Sequence, residues 1–101
     1  MSLKGPVEWR QLESLCSGYL HQDFAVVHES AAGAVRAWLA DASPRDAWAL
    51  ASEWRRFLNL TYGMDADARA RALQDVCGGS WAPTAPEFEA VSAVLLDAWR
   101  R

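Results

Sequence analysis

The sequence predicts an all-α fold, a single-domain bundle of about five helices. The 101 residues are 51% hydrophobic and 23% charged, which is the composition of one globular domain. Apolar residues recur at intervals of three and four in five separate stretches, the spacing of a buried helical stripe. No stretch alternates apolar and polar residues between hairpin turns, and no internal repeat is present.

The first two helices are predicted before residue 43. Residues 7–20 carry the first apolar stripe, which consists of Trp9, Leu12, Leu15, Cys16, Tyr19 and Leu20. Residues 25–29 are interpreted as a loop or a short turn. Ser30 can cap the second helix, which ends before Ser43-Pro44 because proline disfavours a helical residue ahead of it. Its stripe is Val35, Trp38, Leu39 and Ala42.

The third helix has the strongest start signal, with Ser43 at the N-cap, Pro44 at the first position and Asp46 in the first turn. It is expected to stop near Gly63. The sequence places Ala47, Leu50, Ala51, Trp54 and Leu58 on its stripe, with Trp48 and Phe57 at the flanks.

Asp65 can cap the fourth helix, and a capping box formed by Thr84 and Glu87 opens the fifth. The expected inner face of the fourth helix is Ala66, Ala70, Leu73, Val76 and Cys77, and that of the fifth is Phe88, Val91, Val94, Leu95, Ala98 and Trp99. Short connections predict that successive helices pack roughly antiparallel around one core. Residues 1–101 are expected to form one domain, of which residues 1–6 are disordered or vector-derived.

The charge pattern argues against a nucleic-acid partner. The net charge is −3 and no basic stripe is present, so contacts to phosphates are disfavoured. Residues 23–53 contain five acids and only two bases: Asp23, Glu29, Asp41, Asp46 and Glu53 against Arg36 and Arg45. Two interpretations stay open, an electronegative face for a basic partner or an ordinary solvated helix surface.

The same sequence argues against export and against a membrane partner. No apolar run is long enough for a signal peptide or a membrane helix, and a cytoplasmic location is therefore expected. Cys16 and Cys77 are far apart, without metal-ligand spacing, and are expected to be buried thiols. A disulfide between them is also compatible with the sequence.

One group of residues could carry chemistry: His21, Asp23, His28 and Glu29 are four potential ligands or acid–base groups within nine positions. Their spacing matches neither a closed zinc site nor a helical HExxH motif. No nucleophile motif, phosphate loop or redox pair is present. We therefore expect no catalytic residue, metal or cofactor; a small metal-dependent enzyme is the less favoured alternative.

Six tryptophans raise the question of which of them face a partner. Trp9, Trp38, Trp54 and Trp99 fall on helical stripes and are expected in the core. Trp48 is off its stripe and Trp81 lies in a loop, so these two are the candidate interface anchors, since tryptophan is enriched at interface hot spots. Trp81 could instead plug the end of the bundle.

One segment resembles the signature of the contact-dependent growth inhibition (CDI) immunity proteins, an aromatic–hydrophobic–His–Gln–Asp–aromatic motif. Here it reads Tyr19, Leu20, His21, Gln22, Asp23 and Phe24. The later segments Leu39-Ala40-Asp41-Ala42-Ser43-Pro44 and Gly79-Ser80-Trp81-Ala82-Pro83 also resemble the family. The resemblance spans nearly the whole chain. It departs at Phe24, where the family usually has Trp, and at residues 25–27, which are more apolar than expected.

The resemblance implies a non-enzymatic, cytoplasmic protein that binds the C-terminal toxin domain of a large protein encoded beside it. Many such toxins are nucleases with basic grooves, which would suit an acidic immunity protein. The candidate toxin-binding residues are Gln22, Asp23, Glu29, Asp41, Asp46, Trp48 and Trp81. The motif residues Tyr19, His21, Gln22, Asp23 and Phe24 are expected to serve mainly the fold, with Gln22 pointing outward. The alternative is a helical adaptor with an unrelated partner, and the oligomeric state stays open.

Overall fold

The computed structural model describes residues 9–20, 30–79 and 81–99. These residues form five α-helices: α1 Arg10–Gly18, α2 Ala31–Asp41, α3 Pro44–Leu60, α4 Ala66–Val76 and α5 Ala85–Trp99. No strand occurs in the described ranges. The predicted all-α class is confirmed.

The predicted helix starts are confirmed by hydrogen bonds from first-turn amides to the expected caps. The three N-cap bonds run from Gly33 N to Ser30 Oγ (3.0 Å), from Asp46 N to Ser43 Oγ (3.1 Å) and from Ala68 N to Asp65 Oδ1 (2.8 Å). The capping box is complete, since Thr84 N donates to Glu87 Oε1 at 2.9 Å and Glu87 N donates to Thr84 Oγ1 at 3.3 Å. Because each cap satisfies an amide that has no partner within its helix, local sequence alone sets these starts.

The packing order differs from the prediction. Helix α5 packs against α2, α3 and α4, while α1 packs against α3. The expectation that successive helices pair is therefore wrong for the principal contacts, of which only α4–α5 joins neighbours in the chain. The reason is that α5 has a wide apolar face: Phe88, Val91 and Leu95 are buried, and Val94 and Leu96 pack beside them.

Four aromatic rings from α3, α5 and the residue before α1 form the centre of the core. Trp54 lies 5.3 Å from Phe57 and 5.2 Å from Phe88 between ring centroids, and Trp9 meets Phe57 edge-on at 6.2 Å. The indole nitrogen of Trp54 donates to Ser92 Oγ at 3.1 Å, so this buried polar group is satisfied. Phe57, which the sequence pattern placed at a flank, is fully buried.

The inner face of α4 is narrower than predicted. Leu73, Val76 and Cys77 are buried, but Ala66 is exposed and Ala70 is only half-buried. Because α4 packs principally against α5 alone, its first turn extends past the edge of the core. The small residues there do not mark a close helix contact.

Cys16 and Cys77 form a disulfide, with their Cα atoms 5.5 Å apart. This corrects the expectation of two free thiols, and the distance lies in the ordinary range for such bonds. The bond joins α1 to the residue that ends α4, across a sequence separation of 61. It therefore fixes two helices that share no principal packing contact.

The start of α1 is capped from another helix. The residue at its N-cap position, Trp9, makes no side-chain cap bond. Instead the Glu53 carboxylate of α3 accepts from Gln11 N at 3.0 and 3.1 Å and from Leu12 N at 3.0 Å. An anion at a helix N-terminus is favourable, because free amides and the helix dipole converge there. Glu53 thus serves the fold rather than an electronegative face.

The Glu53 carboxylate predicts a pH dependence of stability. Burial raises its pKa above the ordinary 4.5, and the two α1 amides and Arg56 only partly oppose this effect. The folded chain therefore binds this proton more tightly than the unfolded chain. The contribution of Glu53 is greatest below pH 4.5 and declines as pH rises through the folded pKa.

We expect the free energy of unfolding of the wild type, minus that of Glu53→Gln, to fall as pH rises from 4.5 towards neutrality. Urea denaturation at a series of pH values measures this difference, and Glu89→Gln, an exposed acid of α5, is the matched control. Glu53→Ala should cost about 1 kcal/mol at neutral pH, the usual effect of a lost cap. A difference that grows with pH would contradict this assignment.

The disulfide predicts a stability that depends on reductant. Closing a loop of this length stabilises a fold by about 4 kcal/mol in the chain-entropy model. We expect reduction to lower the free energy of unfolding of the wild type by roughly that amount, and to leave a Cys16→Ala/Cys77→Ala variant unchanged. Identical denaturation curves for the wild type with and without reductant would contradict it.

Candidate functional site

Tyr19, the first residue of the motif, connects the ends of α1 and α2. Its hydroxyl donates to Asp41 Oδ2 at 2.6 Å. Asp41 is the last residue of α2, where the helix dipole disfavours a negative charge, so the hydroxyl supplies a stabilising partner there. The hydrogen bond to Asp41, assisted by burial and by the aspartate charge, raises the pKa of Tyr19 above 10.0.

The rest of the motif lies outside the described residues. His21, Gln22, Asp23 and Phe24 fall in the undescribed range 21–29, as do His28 and Glu29. The roles predicted for them stay predictions. Leu20, which directly precedes them, is fully buried.

The start of α3 carries acidic and aromatic side chains on the surface. Asp46 and Trp48 are exposed. Asp41, at the end of α2 and before the short connection to α3, is also exposed. Trp48 is 57% exposed and stacks on Trp99 of α5, with ring centroids 5.4 Å apart and 27° between the planes. The Arg55 guanidinium lies 4.8 Å from the centre of the same Trp99 ring.

Trp99 is placed differently from the prediction, and of the two alternatives given for Trp81 the structure has the buried one. Trp99, expected in the core, is half-buried and forms the surface stack with Trp48, because it lies at the last turn of α5 where the core ends. Trp81, a candidate anchor, is 5% exposed and belongs to the core cluster. Its indole plugs the bundle and is not available to a partner in this conformation. Within the described residues, the Trp81 indole nitrogen has no hydrogen-bond partner.

Sequence analysis missed a second exposed apolar surface, in the turn between α3 and α4. Leu60, Tyr62 and Met64 are 50%, 89% and 45% exposed. They belong to no helical stripe, and helical periodicity therefore gave no reason to single them out. The available signal was three large apolar side chains within five residues beside Gly63, a composition unusual for a turn.

The described residues line several shallow depressions. The largest that we describe is a groove of about 610 Å³ between α2 and α5, lined by small and aliphatic residues with Arg36 and Asp97 at its edges. A smaller depression of about 310 Å³ is lined by Arg55, Leu58, Asn59, Leu96 and Trp99. Across residues 9–20, 30–79 and 81–99, no three His, Cys, Asp or Glu side chains are grouped so that they could hold a metal ion.

The family model described as CdiI immunity protein matches residues 8–91. The chain belongs to the CdiI immunity protein family. The match includes α1 to α4 and the first part of α5, and it covers the motif, the start of α3 and the turn before α4. Among curated proteins and solved structures, none matches this CdiI family member. Its described helices include none long and apolar enough to cross a membrane.

The contact between Tyr19 and Asp41 in this CdiI immunity protein can be tested by titration. The chain has two tyrosines, so a Tyr62→Phe background leaves Tyr19 as the only one. Asp41→Ala removes both the hydrogen bond and the negative charge, and we expect it to lower the pKa of Tyr19. Tyrosinate absorbance measures the pKa, and Asp46→Ala is the control. Equal titration curves for the Asp41 and Asp46 variants would show that the contact is absent in solution.

Proposed function

We propose that this chain neutralises the C-terminal toxin domain of a cognate CDI protein by binding it. The observation that carries the proposal is the CdiI family match over residues 8–91. The family assigns an immunity role, and such a role needs complementarity of shape and charge rather than catalysis. The described surface agrees with this requirement, since it offers exposed aromatic and acidic side chains beside shallow depressions.

The start of α3 is the proposed toxin-binding surface. It presents Trp48 as an aromatic anchor beside the acidic side chains Asp41 and Asp46. Gln22, Asp23 and Glu29 follow α1, whose end is tied to Asp41 through Tyr19, and we propose them as further contacts. An acidic surface suits a basic toxin, such as a nuclease whose groove binds phosphates. Trp81 is left out because it is buried.

We further propose that the protein acts in the cytoplasm, with no enzymatic activity of its own and with neither nucleic acid nor membrane as a partner. A reducing cytoplasm holds cysteines as thiols, so Cys16 and Cys77 would be reduced there for most of the time. The aromatic core and the helix caps must then keep the bundle folded without the disulfide. A domain of this size commonly has 5–15 kcal/mol of stability, roughly, which leaves room for that loss.

Coexpression tests the proposed function directly. The chain is produced together with the toxin domain encoded immediately upstream, and cell growth and copurification are measured. We expect rescue of growth and a stable complex, whereas an unrelated CDI toxin domain should not be neutralised. Normal toxicity and no complex with the neighbouring domain would contradict the proposal and favour an adaptor with another partner.

The acidic side chains predict the kinetics of binding. Changing Asp23, Glu29, Asp41 and Asp46 to their amides should slow association and weaken its dependence on salt, because steering by charge acts mainly on the association rate. The control is Glu89→Gln, which lies near the start of α5, whereas Trp99, the residue that stacks on Trp48, lies at its end. Trp48→Ala should weaken the complex by about 2 kcal/mol, the size of a hot spot, through faster dissociation. Unchanged association rates at low salt would exclude the acids from the interface.

A further inference from the structure

Exposed large hydrophobic side chains are concentrated in residues 60–64, which comprise the last residue of α3 and the turn that follows it. Of the four large hydrophobic side chains that are strongly exposed, Leu60, Tyr62 and Met64 lie within these five residues, and Trp48 is the fourth. Single exposed apolar residues are common on any protein, but a cluster of them marks an interaction site. The turn therefore differs from an ordinary connection.

The buried residue Thr61 anchors the turn to the bundle. This residue is fully buried, and its hydroxyl donates to the Phe57 carbonyl at 2.8 Å and accepts from Arg69 Nε at 3.2 Å. Met64 N closes the turn by donating to the Thr61 carbonyl at 3.1 Å. Gly63 has φ of 90°, which glycine adopts without strain. With Thr61 fixed inward, the backbone at Leu60 and Tyr62 is held in place, so that binding has to order only their side chains.

The charges on the two sides of the turn differ, since the exposed Arg55 and Arg56 precede it in α3 and acidic residues follow it. Between residues 57 and 68 the only charged side chains are Asp65 and Asp67, and both are exposed. The nearest base that follows, Arg69, is directed inward, since its guanidinium lies over the Phe88 ring at 5.5 Å. The turn is thus an apolar projection with acidic side chains on its α4 side. Its complement is an apolar recess that carries basic side chains opposite Asp65 and Asp67.

The turn is continuous with the surface at the start of α3. Trp48, Ser52, Arg55 and Asn59 share one face of that helix because they are spaced by four, three and four residues. The depression lined by Arg55, Asn59 and Trp99 lies along this face, between the Trp48–Trp99 stack and the turn. We name this surface, from Trp48 to Met64, the α3 strip. Its helical part, residues 48–60, is about 20 Å long, from thirteen residues at about 1.5 Å each.

We propose that residues 60–64 are a second anchor for the toxin domain, with Tyr62 and Met64 seated in an apolar recess of that domain that carries basic side chains opposite Asp65 and Asp67. This inference rests on the proposed function. A stable interface buries about 800 Å² on each partner, more than one turn supplies, so both ends of the α3 strip are needed. In this proposal Trp48 contacts the toxin domain at one end of the α3 strip and Tyr62 contacts it at the other end.

The test is the Kd for the purified toxin domain, measured by calorimetry and by surface binding kinetics. Tyr62→Ala and the Leu60→Ala/Met64→Ala variant should each weaken binding at least about tenfold through faster dissociation. Tyr62→Ala should leave the melting temperature unchanged because the side chain is 89% exposed. Tyr62→Phe keeps the ring and should bind almost normally. The matched control is Gln74→Ala in the last turn of α4, where Gln74 lines a separate depression beside Ala82 and Pro83.

The outcomes separate this inference from the proposed function. Tight binding by the wild type together with equally tight binding by Tyr62→Ala would overturn the second anchor and leave the immunity function intact. Absence of binding by the wild type would overturn both. The turn could instead bind a second copy of this chain, and sedimentation of the chain alone tests this alternative. A dimer that dissociates in the Tyr62→Ala variant would assign the turn to self-association and overturn the inference.

Discussion

The burial of Trp9, Trp54, Phe57 and Phe88 against one another is the constraint on which the rest of the structure depends. Two of these rings belong to α3, which therefore has to face both α1 and α5. With Trp54 and Phe57 turned inward, the face of α3 that carries Trp48 and Asn59 is directed outward by helical geometry. The packing of the core thus decides which residues are left for a partner.

Three polar or covalent links then hold α1, which packs principally against α3 alone. Glu53 caps its N-terminus, the disulfide ties Cys16 to the end of α4, and the Tyr19 hydroxyl ties its C-terminal end to Asp41. These links fix the positions of Tyr19 and Leu20, which directly precede the His-Gln-Asp segment. Tyr19, the first residue of the motif, therefore contributes to the fold.

Sequence analysis succeeded where local interactions decide the structure. Helix starts at Ser30, Ser43, Asp65 and Thr84 follow from caps within three residues, and the buried stripes follow from helical periodicity. It failed where distant residues decide. The disulfide, the cap supplied by Glu53 and the central position of α5 all depend on contacts between segments far apart in the chain.

The candidate site shows the same division. Asp41, Asp46 and Trp48 were predicted from charge and from their positions off a stripe, and all three are exposed. The burial of Trp81 agrees with the alternative that it plugs the bundle, whereas the partial exposure of Trp99 could not be predicted because it depends on where α5 ends against its neighbours. The exposed residues 60–64 were not predicted because their exposure follows from the burial of one small residue, Thr61. No sequence pattern indicates that Thr61 is buried.

Hydroxyl-radical footprinting of the complex with the neighbouring toxin domain tests the central claim most directly. Trp48, Tyr62 and Met64 are exposed and carry readily oxidised side chains, so they report on the α3 strip without any substitution. We expect oxidation of all three to fall when the toxin domain is bound, while the buried Trp54 and Trp81 react little in either state. Undiminished oxidation of Trp48, Tyr62 and Met64 in a saturated complex would place the toxin elsewhere and contradict the account.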